Sequence, residues 1–434
     1  MFKSNRLIVI FVQFFIINSG LSLDFSVSNL TYYRLRINID GHLESRELIR
    51  GMLNKNNFWL SAELVNSPEN KREIYFFKLM GDPDDKILLK KKQRRKIENP
   101  TYDARQLLWS RSHPYRFSFI HRNKKFEYEF FKVQFKKSPT DLRMYPLDTK
   151  RIVKNIDDFY LATVLNEDRL VAVISDDNKI TSIPVLGQDI SGYKELKTNH
   201  KYLREISLSR EYELASNSIL ITAENEKTKT DIYYYPSIHH LNTNTKVLID
   251  SDILAKELNQ LNPSFSASGK YIAFIENSVM SDQSSKFPVL NLFVCETPKF
   301  DSLNQQYIKE DSFFIDDSVI TEERLEFSKG VVENYSWHPT EDVLFYVKED
   351  VKEFSKIWYY DIKTGEPKPL DTGTFPNHSI SISQDGKYII FKTRTYQSNT
   401  NRHFSNCPTQ IAEKNNDCCG LPSSVICVAE LQIH

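Results

Sequence analysis

The side chains in this sequence best suited to chemistry are imidazoles and thiols. His113-Pro114 and His338-Pro339 each close a strand-like run and open a turn, and His239-His240 follow the aromatic run Tyr233-Tyr234-Tyr235. Neutral imidazole is a good ligand for zinc and related ions. If three or more of His113, His239, His240 and His338 converge on one ion centre, at an imidazole–zinc distance of about 2.0 to 2.1 Å, the chain has a metal site. The structural reading is the simpler one: a His-Pro pair makes a serviceable turn, in which Pro fixes φ and the ring packs or caps the loop.

The thiols are unevenly spread. Of five cysteines, Cys407, Cys418, Cys419 and Cys427 fall within 21 residues, while Cys295 stands alone in the apolar run "LNLFVCETP". Clustered thiols in an oxidising compartment are expected to form two disulfides, with three pairings open and a Cys418–Cys419 bridge disfavoured. Zinc competes, but the spacing lacks two C-x2-C pairs. Cys295 reads as a small buried hydrophobe.

Other chemistry is missing. The sequence has no G-x-S-x-G elbow, no H-E-x-x-H, no P-loop and no dinucleotide fingerprint, and 12 glycines in 434 residues are few for phosphate-cradling loops. No catalytic residue is assigned on this basis, and no cofactor is expected. Lys plus Arg equals Asp plus Glu at 57 each, so the balance gives no basic excess for nucleic acid. The basic run Lys90 to Lys96 follows Asp82, Asp84 and Asp85 and reads as a solvated loop.

The first residues suggest a compartment. Lys3 and Arg6 precede an apolar stretch, Leu7 to Ile17, broken only by Gln13, and Gly20 and Ser22 sit where a signal peptidase reads small residues. Residues 1–22 are therefore expected to be a secretory signal removed before Leu23, leaving no transmembrane segment and a periplasmic or secreted protein.

Elements that could position these groups are nearly all strands. β-branched and aromatic residues alternate over five to nine positions and then yield to Asn, Asp, Ser, Gly, Pro or Lys. Only "SDILAKELNQL", Ser251 to Leu261, and "TEERLEF" look helical. The strands come in groups. The clearest, Tyr335 to Leu370, predicts an inner strand at Tyr335–His338, then Val343–Val347, Ile357–Ile362 and Lys368–Leu370, with a turn at Thr364-Gly365. Similar groups begin near Leu107, Asp158, Arg204, Asn262 and His378, and another from Asn56 needs an inner strand that Tyr32–Ile39 could supply. The same segment could instead complete the last group.

Repeated four-stranded antiparallel units that cannot bury both faces alone predict an all-β fold, a β-propeller, read as seven blades with six as the alternative. On this reading residues 23–434 form one domain, with 23–100 its most divergent part and 392–422 a Cys-rich insertion in the last blade. The repeats resemble those of the TolB-type, WD-like exported propellers. The likeness rests on Phe265-Ser266-Ala267-Ser268-Gly269-Lys270 before Tyr271 to Phe274, on Ser383 to Lys387 before Tyr388 to Phe391, and on Trp337-His338-Pro339 and Ile357 to Asp361. The Pro of the repeat is replaced by Ala267 or Gln384 in two copies, and the separate α/β domain of TolB is not matched. The resemblance implies an exported binding or scaffolding module whose partner is a cell-envelope protein or peptide. Some such propellers resemble pectate-fragment lyases with metal on histidines at the ring's mouth. That gives the alternative reading, a carbohydrate-active or metal-dependent enzyme with its site in the central funnel. The Ser-Gly and Asp-Gly turns, and Trp109 and Trp337, are expected to serve the fold.

Overall fold

The computed structural model describes residues 23–34, 37–39, 42–44, 47–57, 59–66, 71–78, 95–96, 103–109, 116–122, 128–135, 144–148, 159–164, 169–174, 179–184, 194–197, 200, 203–208, 218–224, 229–237, 240, 246–249, 259–278, 289–304, 306–309, 312–316, 335–349, 355–374, 378–397, 404–405 and 423–434. Their regular structure is antiparallel β-sheet. Sheet 1 takes its strands from residues 47–96, sheet 2 from 103–148, sheet 3 from 159–197, sheet 4 from 203–249, sheet 5 from 259–316 and sheet 6 from 335–370. Sheet 7 combines His378–Ile382, Tyr388–Gln397 and Ser423–Ile433 with the N-terminal strand Phe25–Arg34.

Period-two alternation explains why the sheets stack. In sheet 6, Val343, Phe345, Val347, Ile357 and Tyr359 share a core with Ile389 and Phe391 of sheet 7. The intervening Leu344 and Tyr346 pack instead with Ala273, Ile275, Leu292 and Val294 of sheet 5. A strand buried on both faces needs an apolar residue at every position, which is why "VLFYV", "YIAFI" and "YIIF" read as continuous apolar runs. Sheet 4 packs on sheet 5 through Leu220, Ile232, Tyr234, Phe265 and Phe274. Sheet 7 also packs on sheet 1, where Leu48, Leu60 and Leu64 meet Ile390, Ile426 and Val428. A Cβ on Gly51 would stand 2.8 Å from Ile390 Cγ2, so only glycine lets these two sheets approach. Trp109 of sheet 2 donates from Nε1 to Ser61 Oγ of sheet 1 at 2.9 Å, and Trp337 of sheet 6 donates to the Ser264 carbonyl of sheet 5 at 3.3 Å. Both tryptophans thus join sheets, as the sequence predicts.

One hairpin recurs at the end of the inner strand. The amides of Asn54, Ser266, His338 and Ser383 each donate to the carbonyl five residues on, at 2.8–2.9 Å. The side chains of Asn54, Ser266 and Ser383 accept the returning amides of Trp59, Tyr271 and Tyr388. Gly269 and Gly386 take φ of +72° and +76° there, which a side chain would oppose. These tips bind one another from sheet to sheet. Ser268 donates to Asp342 at 2.8 Å, His338 Nε2 donates to the Gly386 carbonyl at 3.2 Å, and Asn57 donates to Asp385 at 2.7 Å. They form a belt from sheet 5 through 6 and 7 to sheet 1.

The structure settles one point the sequence left open and departs from the sequence reading at two others. The first group takes its inner strand from Glu47–Leu53, and Tyr32–Arg34 pairs with the Ser423–Ile433 strand and completes sheet 7, the second of the two placements open from sequence. Asn259–Leu261, read as the end of a helix, opens a strand of sheet 5, because Asn259 to Leu261 pair with Asn277 to Ile275. The strand from Tyr388 runs on to Gln397, past the expected start of an insertion at 392, and Phe404–Ser405 pairs back onto it. The "TEERLEF" segment lies outside the described residues.

A feature absent from the sequence reading is a register slip in the inner strands. It falls between Leu48 and Arg50, Arg105 and Leu108, Leu203 and Glu205, Leu261 and Ser264, and His378 and Ser381. Asn262 and Ser379 hold φ of +51° at two of these bulges. Side chains from neighbouring sheets satisfy the freed backbone: Tyr335 donates to the Asn262 and Ala273 carbonyls, the latter at 2.8 Å, and Ser381 donates to the Gly51 carbonyl.

Candidate protein-binding hairpin

The third strand of sheet 5, Val289–Glu296, and its fourth, Ser312–Asp316, are joined by an excursion with a hairpin of its own, Lys299–Asp301 paired with Gln306–Ile308. Local chemistry shapes it. Asp301 accepts the Leu303 amide at 2.9 Å and the Asn304 side-chain amide at 2.6 Å, an Asx turn that reverses the chain. Those bonds, the one from the Asn304 side chain first, hold the Asp301 carboxyl below the usual carboxylate range. The base is fastened to the belt turn beside it. Thr297 donates its amide to the Lys270 carbonyl at 2.7 Å and its hydroxyl to the Gly269 carbonyl at 2.6 Å.

On one face Phe300 and Tyr307 stand directly opposite each other with ring centroids 5.2 Å apart, and Tyr307 lies 6.0 Å from Tyr234 of sheet 4. The hairpin is therefore braced, yet its apolar groups stay in water. Leu303 at the turn is 92% exposed, Phe300 54% and Ile308 43%, and Leu248 on the neighbouring edge strand of sheet 4 is 41% exposed. Three exposed apolar residues, Phe300, Leu303 and Ile308, thus stand on one short hairpin.

A cluster of titratable groups among the described residues lies elsewhere, on sheet 4. His200 is buried, its Nε2 is 2.5 Å from the Tyr235 hydroxyl, and its ring lies 4.3 Å from that of Tyr233. Lys246 stands 4.6 Å from the Tyr233 centroid, and the Tyr233 hydroxyl donates to Asp231 at 3.1 Å. Burial first, then the Lys246 charge, lowers the His200 pKa to about 4. Burial pushes Tyr235 up to about 12, and burial with the Asp231 charge pushes Tyr233 up further. Among the described residues this imidazole packs against two phenols, and no carboxylate is hydrogen-bonded to it.

Of the residues singled out from sequence, the described ones, His240, His338, Cys295 and Cys427, stand on different sheets. His338 is buried, and both ring nitrogens are used inside the wall: Nδ1 accepts the Glu341 amide at 3.2 Å while Nε2 donates to Gly386. Its ring packs 5.8 Å from Phe25. His240 is half-buried in a turn after the third strand of sheet 4. His113 and His239 lie outside the described residues, as do Cys407, Cys418 and Cys419. Among the described residues no group of three His, Cys, Asp or Glu side chains is placed to hold a metal ion. Cys427 is a free thiol in the core between sheets 6 and 7, and Cys295 is buried between sheets 4 and 5 without a disulfide. Burial pushes the Cys427 thiol well up, away from a reactive thiolate. The expected disulfide at Cys427 is thus not formed here, because its side chain points into packed apolar residues. Of the basic run, Arg95–Lys96 forms the edge strand of sheet 1.

Leu303 was not among the residues singled out from sequence. The available signal was "KFDSLNQQYI", an Asp-Ser-Leu-Asn turn between two short apolar–polar alternations.

Solved structures share this fold at low sequence identity. A puromycin-hydrolyzing peptidase of Mycobacterium tuberculosis superposes with a TM-score of 0.53 and 10% identity, covering 84% of this chain and 52% of the peptidase. The chain thus spans about half the length of that peptidase. The β-propeller domain of Cps50 (Swd1) from Myceliophteria thermophila gives 0.48 with 9% identity over 94% of this chain and 99% of that one. The β-propeller domain of the Trilobed protease from Pyrococcus furiosus gives 0.42 with 11% identity over 80% and 91%. At these identities the likeness is one of fold alone. No family model matches the chain. No curated protein matches it in sequence.

Proposed function

We propose that this chain is an exported β-propeller of seven four-stranded blades, a divergent relative of the TolB-type repeat proteins, that binds a protein or peptide of the cell envelope. The blade count is supported by the seven four-stranded paths among the described residues, and ring closure by the packing of sheet 7 on both sheet 6 and sheet 1. Export to the periplasm or the exterior is supported by residues 3–22 of the sequence. Among the described residues no helix is long and apolar enough to cross a membrane.

The observation that carries the binding role is the Lys299–Ile308 hairpin, which keeps Leu303, Phe300 and Ile308 in water on a fastened base. A partner with an apolar groove is the complement of such a projection, and Leu303 is its anchor. Affinity capture from an envelope extract tests the idea. Wild-type protein and a Lys270→Ala control retain the same partner, and Leu303→Asp loses it at unchanged stability. Equal retention by Leu303→Asp and Phe300→Asp overturns the assignment of the hairpin.

A further inference from the structure

The three residues after the expected signal cleavage site are built into the wall between sheets 6 and 7. Phe25 is buried, with its ring centroid 5.1 Å from Phe345 and 5.1 Å from Tyr359, and its amide donates to the Tyr359 hydroxyl at 3.4 Å. Asp24 pairs with Lys368, and its carbonyl accepts the amide of His434 at 2.8 Å. The amide nitrogen of Leu23 stands 3.4 Å from Oδ2 of Asp361.

Asp361 is only 2% exposed. Its Oδ1 accepts the Lys363 amide at 2.9 Å, capping the turn that ends at Gly365, and its Oδ2 faces Leu23. Among the described residues no Lys or Arg side chain forms an ion pair with it. A buried carboxylate met only by neutral amides is incompletely compensated, and a cation at the Leu23 nitrogen would complete it. Hydrolysis of the Ser22–Leu23 amide creates one. A water is consumed, Ser22 leaves with a carboxylate, and the Leu23 nitrogen becomes an amine that takes up a proton at neutral pH.

We infer that Asp361 is the receptor for the α-ammonium group of a mature N-terminus at Leu23, so that signal removal locks the strand closing sheet 7 onto sheet 6. The inference rests on the export reading. The lock exists only in the processed protein: a peptide-bonded Leu23 keeps the N–H but has no charge. Any start other than Leu23 puts the charge in the wrong place.

The test has two arms that fail separately. N-terminal sequencing of the protein secreted from an export-competent host is expected to begin at Leu23. A different start, or an uncleaved chain, overturns the export reading and the lock with it. The second arm uses protein cut from a fusion immediately before Leu23, with a free or an acetylated amine. Acetylation preserves the N–H and removes only the charge, so a contact that is merely structural does not respond. The free amine is expected to raise the thermal midpoint by about 3 °C at pH 6.5. Because the pairing raises the amine's folded-state pKa, the difference is fully present below about pH 8 and fades as pH rises beyond it. In Asp361→Asn the two forms are expected to melt together. Equal midpoints in the wild-type background, or a difference that persists in Asp361→Asn, overturn the lock. The wild-type comparison stands alone if Asp361→Asn does not fold.

Discussion

Sheet 5 carries two hairpins that answer to different demands. The turn at Ser266–Gly269 repeats at Asn54, His338 and Ser383, accepts its own returning amide, and bonds to the neighbouring tip at Asp342. The Lys299–Ile308 hairpin has no counterpart among the belt turns, and it holds Leu303, Phe300 and Ile308 in solvent. Repetition therefore marks what the packing of sheet on sheet requires, and departure from it marks where the proposed partner would be met. The histidines make the same point: His338, the most motif-like of them, is a belt residue with both nitrogens used.

Substitutions can break or sharpen this contrast, beginning with the belt. In Gly386→Ala the new Cβ collides with His338 Nε2 on a backbone held at φ +76°. A loss of about 3 to 4 kcal/mol in denaturant unfolding is expected from the two costs together. Gly269→Ala has φ +72° but open space, so only the conformational cost of about 1 to 2 kcal/mol is expected. Equal losses in the two variants would remove the contact between tips from the account.

Acidity provides the next largest effect. The folded protein keeps His200 neutral down to about pH 4, against 6.5 for an ordinary histidine, so the unfolded chain takes up the proton first. Stability is thus expected to fall as pH drops from about 6.5 to about 4, with a slope approaching about 1.4 kcal/mol per pH unit. His200→Phe should flatten that window in urea titrations at pH 7, 5.5 and 4.5. The hairpin lacks histidine, so a partner's affinity per folded molecule is not expected to follow this titration. Smaller again, Tyr335→Phe removes the hydroxyl that serves the bulge carbonyls of Asn262 and Ala273, and should cost about 1 to 2 kcal/mol. Leu303→Asp changes a residue already in water, and its effect on stability is expected to stay within about 0.5 kcal/mol.

How much of this was legible in the sequence follows from the physics of each feature. Strands and their grouping could be read because burial on both faces writes continuous apolar runs such as Val343 to Val347, followed by turns that need glycine at Gly365, Gly269 and Gly386. The bulges could not. A slip between Leu261 and Ser264 is a property of pairing with Tyr271–Ser278, and no local residue pattern encodes it. The partner of Phe25–Arg34 was open for a similar reason: a strand's alternation tells which residues are buried, not which distant edge they complete. The hairpin was missed because exposure is a tertiary property. Leu303 looks like any core leucine until the Asx turn at Asp301 points it outward.

The most direct test places a photo-activatable cross-linking residue at Leu303 in one protein and at Lys270, in the belt turn of the same sheet, in another. Both are exposed to an envelope extract and irradiated. A partner adduct from position 303 and none from 270 is the predicted result. Adducts of equal yield from both positions, or none from 303 while the partner still co-purifies, would contradict the claim that the unrepeated hairpin is the binding element.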